Sequence, residues 1–260
     1  MKGLPECITQ NKKHFLLSNQ YNMVRTEELL EEFQEHGWMP VKITQVKSCV
    51  DEGFQRHMVR LREEGVKPLT LDDPIFPEIV ITNSHNGTSK LTIDAGLFRL
   101  VCANGMVVSN GSLFDFHSTH LNKNIKRDIL VAIGNMFDKL PYLLYNINNW
   151  KELILTPEQQ ITFAEKAIEM KKVADKGNIC WQSLLLPKRL DDRTPSLWNT
   201  FSIIQEKFTQ GGSYTTVTHG RKQRHRLIRS KGVKSVSQNV SLNKNLWEIT
   251  EKYAQEITSN

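Results

Sequence analysis

Paired cysteines, long apolar runs and nucleotide-binding glycine loops are all missing from this chain of 260 residues, and each absence closes off a class of protein. The four cysteines, Cys7, Cys49, Cys102 and Cys180, stand far apart, which argues against both a disulfide framework and a zinc ribbon. Their scatter suits a reducing compartment, so the expected location is cytoplasmic. No stretch reaches the roughly 18 apolar residues of a spanning helix; Arg99 and Asn104 interrupt the most apolar one, and no membrane partner is expected. No glycine-rich loop ends in Lys-Ser or Lys-Thr, which removes P-loop nucleotide hydrolysis, and no cofactor is expected. Internal repeats are also lacking. Acidic residues vanish from one segment altogether: between Gly220 and Lys234 lie Arg221, Lys222, Arg224, Arg226, Arg229, Lys231 and Lys234 with no carboxylate among them.

What remains is a chain with 39% hydrophobic content, a formal charge of +6 and a pI near 9.1. That length fits a single α+β domain over residues 1–260, and the charge favours a polyanionic partner. Residues 1–20 show no usable period and read as a loosely held arm or an edge strand. Thr26 precedes Glu27-Glu28-Leu29-Leu30, with acidic residues suited to a first turn and Gly37 to a stop, so a helix is expected over about 26–36. From Trp38 the period changes to two. One strand is expected from Met39 to Ser48 and a second from Phe54 to about Arg62, with the proline-bearing residues 65–77 as a loop. Three β-rich segments follow between Glu78 and Ser109, punctuated by Asn86-Gly87, Ala95-Gly96 and Asn104-Gly105, which read as the turns of an antiparallel meander. The sheet-rich half thus runs over 26–120.

The half over 121–260 is rich in helices. One is expected over about 122–140, with Ile125, Ile129, Ala132, Ile133, Met136 and Leu140 as an apolar stripe. Thr156-Pro157-Glu158-Gln159 opens another to about Val173. Thr194 and Pro195 open a third, with Leu197, Phe201, Ile204 and Phe208 on its core face and Gly211-Gly212 at its end. Ser241 is expected to cap a fourth over about 242–257. The fold expected is therefore an antiparallel β-meander packed against several helices, with a helical C-terminal half and a basic loop over 213–238.

Three groups of cations are candidates for contact with nucleic acid. On the second strand, alternation places Arg56, Arg60 and Arg62 on one face, read either as a solvated outer face or as a track for phosphates. Lys123, Lys126 and Arg127 stand where a helix begins, either as surface residues or as an addition to an anion-binding helix terminus. Arg221, Lys222, Arg224, Arg226 and Arg229 belong to the acid-free segment, which is either a nucleic-acid-contacting loop or hairpin or a solvated mobile loop. Trp38 and Phe54 are candidate stacking surfaces. Asp191, Asp192 and Glu206 could converge on magnesium, but Lys188, Arg189 and Arg193 are interleaved with them and local ion pairs explain the group as well. His117 and His120, with His85 or Cys102, lack the spacing of a metal site. No catalytic residue and no metal ligand is assigned.

Several motifs taken together resemble a phage- and plasmid-borne family catalogued as domain of unknown function number nine hundred and thirty-two. They are Val101-Cys102-Ala103-Asn104, then Leu186-Pro187-Lys188-Arg189 with Asp191-Asp192, Leu197-Trp198, Ile204-Gln205-Glu206, Gly211-Gly212, Gly220-Arg221, Leu242-Asn243 and Leu246-Trp247. The resemblance implies a mobile-element origin and a bacterial host. The order of a helix, antiparallel strands with a basic face and a further helix is also distantly similar to the core of single-strand annealing recombinases, which implies an oligomer that holds single strands by backbone contacts. The expectation is a nucleic-acid-binding protein acting in recombination, annealing or replication, with single-stranded DNA as first partner and a second copy of the chain as another. An inhibitor of a host defence system, binding a host protein, and a metal-dependent nuclease are the alternatives. The chain reads as a binding protein more than as an enzyme.

Overall fold

Alternating apolar residues and the Asn86-Gly87 turn make the first half a sheet. The computed structural model describes residues 3–19, 21, 23–47, 52–69, 74–99, 105–107, 125–172, 178–219, 224–233 and 235–259. Strands β1 (Trp38–Gln45), β2 (His57–Glu63), β3 (Ile75–Asn83), β4 (Thr92–Arg99) and β5 (Gly105–Val107) pair antiparallel in chain order, which is the expected meander. Gly87, in the β3–β4 connection, takes a φ of +74°, the left-handed region that favours glycine. Ala95-Gly96 is not a turn. Both lie inside β4, opposite Ile79 and Glu78; with a strand on each side of β4 the ladder tolerates a lone glycine. The proline-bearing loop is also shorter than expected, since β3 already begins at Ile75.

Helices α1 (Glu6–Thr9) and α2 (Thr26–Glu35) accompany the sheet, and α2 buries Leu29, Leu30 and Phe33. The N-terminal residues are tied down, contrary to the expected loose arm. Cys7 and Ile8 are fully buried, Cys7 Sγ donates to Gln45 Oε1 at 3.0 Å, and His14 N donates to His85 O at 3.0 Å. Thr26 begins α2 from inside the core. Its hydroxyl lies 2.8 Å from His57 Nε2 and accepts from Asn83 Nδ2 at 3.0 Å. Because the Gln55 carbonyl accepts from His57 Nδ1 at 3.0 Å, the neutral ring offers Nε2 as acceptor to the Thr26 hydroxyl. Burial pushes the imidazole down to about 4, against the smaller upward pull of the Gln55 carbonyl.

Residues after Leu140 form a second compact unit, Pro141–Lys234 with Gln238–Asn260, distinct from the first, Met1–Leu140 with Ser235–Ser237. Helix α3 (Ile125–Glu152) runs through Pro141 rather than ending at Leu140, and the division between the units falls at that proline. The second unit is mainly helical: α4 (Pro157–Lys172), α5 (Trp181–Leu184), α6 (Leu197–Gln210) and α7 (Val236–Thr258). Thr156 and Gln159 close the expected capping box on α4, each side chain accepting from the other's backbone N–H. For α6 the cap is Ser196, whose hydroxyl accepts from Asn199 N, and not Thr194. Ser241 lies inside α7, which starts at Val236. The core gathers Trp150, Phe201 and Trp247, with Trp150 and Trp247 ring centroids 4.5 Å apart. Among the described residues no helix is long and apolar enough to cross a membrane.

Two buried polar groups of the first unit set measurable stability effects. His57 is neutral when folded and takes up a proton near 6.5 when unfolded. Its contribution is therefore complete above pH 6.5 and lost as pH falls through about 4, the loss amounting to roughly 2 kcal/mol by pH 5. Urea midpoints at pH 7.5 and 5 should show this loss in the wild type and not in His57→Gln; equal losses in both would refute it. Second, Glu78 is fully buried against Arg60, itself only 7% exposed. Glu78→Ala should cost about 3–5 kcal/mol by stranding that guanidinium, and Arg62→Ala distinctly less, as read by denaturant midpoints.

Candidate nucleic-acid interface

Within the acid-free segment, residues 224–231 form a strand of the second unit, and the preceding residues 211–219 form its partner. Strand β7 (Gly211–His219) carries the β-branched run Thr215-Thr216-Val217-Thr218, which suits a strand, and pairs antiparallel with β8 (Arg224–Lys231). The two-residue β6 (Asn178–Ile179) joins them only at Thr215 and Thr216. Beyond that point the ladder continues as two strands, with Val217 opposite Arg226 and His219 opposite Arg224.

The root of this ribbon is fixed tightly. Gly211 ends α6 with a φ of +84°, and a Cβ there would stand 2.6 Å from Gly232 N and from Ser230 O. A Cβ at Gly232 would stand 2.5 Å from Thr209 O. Only paired glycines let the helix end and the strand ends approach this closely. Val233 N donates to Thr209 O at 3.0 Å, Ser213 N to Ser230 Oγ at 3.1 Å, and Tyr214 N to Ser183 Oγ at 2.8 Å.

Cross-strand partners share a face. Tyr214 sits opposite Arg229 and Thr216 opposite Leu227, and alternation adds Lys231 to the same side. Tyr214 is 45% exposed and Leu227 63%, with Arg229 and Lys231 also exposed. An aromatic ring, an apolar side chain and two cations thus share one open face. Tyr214, Leu227 and Lys231 are not candidates on sequence grounds; the period-two pattern of β7 is the signal that could have indicated Tyr214.

Beside the root, two of the three acidic residues considered for magnesium, Asp192 and Glu206, are engaged in ion pairs. Arg189 Nη1 donates to Asp192 Oδ2 and to Glu206 Oε2, both at 3.0 Å, and Nη2 to Glu206 Oε1 at 3.1 Å; Lys188 Nζ donates to Glu206 Oε1 at 2.9 Å. Burial is the largest influence on Glu206 and acts to raise its pKa. The hydrogen bonds and charges of Lys188 and Arg189 together outweigh it and hold the carboxyl below its ordinary value. Asp191 is exposed, and its backbone carbonyl accepts from Asn199. Among the described residues, no three His, Cys, Asp or Glu side chains are placed to hold a metal ion.

The strand arginines are held differently. Arg60 donates from Nε and Nη2 to Glu78 at 2.6 and 3.0 Å, and Arg62 from Nε and Nη2 to the same carboxylate at 3.0 and 2.6 Å. Arg60 is buried, and burial pulls its pKa down against the support of Glu78. Arg62 stacks its guanidinium 3.9 Å from the Phe76 centroid, and Arg56 Nη2 donates to Thr88 O. Arg60 and Arg62 of β2 therefore form an ion triad with Glu78 of β3, where the period-two pattern of the second strand alone shows only cations. Trp38 is buried and cannot serve as a stacking surface, while Phe54 is half-buried edge-on to His14.

Of the remaining candidates, Lys126 and Arg127 stand in the first turn of α3 and Arg224 and Arg226 on β8. Lys123, Arg221 and Lys222 lie outside the described residues, as do Cys102, His117 and His120. Arg56, Arg60, Arg62, Lys126 and Arg127 belong to the first unit and the ribbon cations to the second. Each group is thus a feature of its own unit.

Comparison with known proteins adds a family. Over 252 residues the chain is 29% identical to the UPF0380 protein YafZ of Escherichia coli (strain K12) and 28% identical to the UPF0380 protein YfjQ of the same organism. Each alignment covers 95% of this chain and 87% of the relative. No solved structure matches it. Residues 13–247 match the profile of the domain of unknown function designated DUF932, and the chain belongs to that family.

Proposed function

We propose that the protein binds nucleic acid, single-stranded DNA in the first instance, through the β7–β8 ribbon, in the recombination, annealing or replication of a phage or plasmid. The observation that carries this reading is the open face of the ribbon, where Tyr214 and Leu227 stand beside Arg229 and Lys231 in a segment without carboxylates.

The physical case has two parts. Cations that neutralise phosphates release condensed counterions, which supplies affinity without sequence preference. An exposed aromatic ring can stack on an unpaired base, worth about 1–3 kcal/mol per base. In a duplex those base faces are already stacked, so Tyr214 favours single strands. Binding of this kind needs no cofactor. The ribbon's outer end is two-stranded, narrow enough to follow a flexible backbone.

The test is a salt titration of binding to labelled single-stranded and duplex oligonucleotides of one sequence. Affinity should fall steeply with salt and favour the single strand. The variant R224E/R226E/R229E, which includes the open-face Arg229, should flatten the single-strand slope of log K against log salt by about 2, at about 0.7 for each phosphate no longer neutralised. An unchanged slope removes these arginines from the interface, and equal affinity for both forms after Tyr214→Ala and before it removes the stacking role.

A further inference from the structure

At the root of the ribbon, Lys207 occupies the last turn of α6 with only 8% of its surface exposed. Its ammonium makes no hydrogen bond and no ion pair with the described residues, and the nitrogen itself is not closed off from solvent. Burial depresses its pKa most, and the charge of Lys188 depresses it further; Glu206 pulls the other way and Arg229 adds to the depression. Lys207 thus sits within electrostatic reach of two other cations. The carboxylate acting on it, Glu206, already accepts from Lys188 and from both terminal nitrogens of Arg189.

Arg229, exposed on β8, is one of the cations acting on Lys207. Its guanidinium lies against Gly212, where a Cβ would stand 3.5 Å from Nη2 and 3.8 Å from Nε. It too has no hydrogen bond or ion pair among the described residues. A side chain at position 212, where φ is +102°, would be strained and would press on that guanidinium. Gly212 therefore leaves space in which Arg229 holds its donors unspent.

The dipole of α6 favours a cation near its C-terminal end. It accounts for Lys207 and not for the added presence of Lys188 and Arg229, each of which repels it. Lys188 and Arg189 already occupy Glu206, and Arg189 also Asp192, while Lys207 feels Glu206 together with the cations Lys188 and Arg229. What would balance the remaining positive charge is a small, multiply accepting anion with the geometry to take hydrogen bonds from an ammonium and a planar guanidinium together.

We propose that Lys207, Lys188 and Arg229 form a binding site for a single phosphate group at the root of the β7–β8 ribbon. Under the reading given above, on which this assignment of its source rests, the phosphate is a backbone phosphodiester of the bound strand, anchored where the ribbon leaves α6. A free phosphate or a small phosphorylated molecule would present the same chemistry.

The test uses the full chain and two probes. Inorganic phosphate, compared with chloride at equal ionic strength, should raise the thermal midpoint of the wild type and of Lys207→Arg, but not of Lys207→Met, which keeps the buried stem and removes the charge. Binding of a labelled single-stranded oligonucleotide should weaken about tenfold in Lys207→Met, with the salt slope reduced by about 0.7. Arg229→Met should repeat both losses, which keeps the proposal testable if Lys207→Met misfolds. Phosphate stabilisation lost in the variants without oligonucleotide binding in the wild type would uphold the site, assign it to a free phosphate and overturn the nucleic-acid reading. Oligonucleotide binding that Lys207→Met and Arg229→Met leave intact, with no preference for phosphate over chloride, would overturn the site while leaving the ribbon in place.

Discussion

A charge taken out of water must find its opposite, and much of this protein's polar architecture obeys that constraint. Arg60 and Arg62 converge on the buried Glu78, and Arg189 spans Asp192 and Glu206 with Lys188 in support. In both clusters one or more carboxylates with almost no exposure draw in two cations, because an unpaired buried ion costs several kcal/mol. Such pairs add little net stability over an apolar packing of equal volume. What they impose is register: β2 can slide on β3 only by separating Glu78 from both guanidinium groups. Lys207, 8% exposed and without a hydrogen bond or ion pair among the described residues, is where the phosphate proposed above would supply the negative charge.

Much of this was legible in the sequence, for definite reasons. Period-two apolar patterns and an Asn-Gly turn encode a meander locally, so β1 to β3 could be placed without knowing their partners. The face of α6 follows from the spacing of Leu197, Phe201, Ile204 and Phe208, all buried, and the capping box of α4 is a three-residue signal. The failures share a cause: each depends on a neighbour distant in sequence. Ala95-Gly96 resembles a turn until β3 and β5 flank it. The N-terminal arm lacks a period of its own and is held by Gln45 and His85. Pro141 should end a helix by local rules, yet α3 continues through it into residues Leu143, Ile147 and Trp150, which are buried.

The candidate site shows the same division. The bias of residues 220–234 is compositional and visible at once. That Arg60 is internal is not, because alternation assigns a face but not what covers or neutralises it, and Glu78 lies 18 residues along the chain. The acidic cluster fared better, since the interleaved Lys188 and Arg189 already suggested the ion pairs now seen. Lys207 was invisible as a ligand group, being one more polar residue on a helix whose core face is defined by its apolar neighbours. Its significance comes from what fails to meet it.

The glycine packing between the helix end and the strand ends joins these observations. With Gly211 and Gly232 backbone to backbone, the C-terminal turn of α6 and the base of the ribbon share one rigid geometry. Lys207, from the helix, and Arg229, from β8, are then set relative to each other by backbone and not by flexible connections. Preorganisation of this kind lowers the conformational entropy lost when a ligand orders its site. It also separates two duties along one hairpin. The root, stiff and cationic, suits a single well-defined anion, whereas the outer two-stranded part, tied to β6 only at its base, can adapt to a chain of them. A polyanion gripped at one fixed point and followed along a compliant ribbon would be held in register without any interaction that reads its sequence.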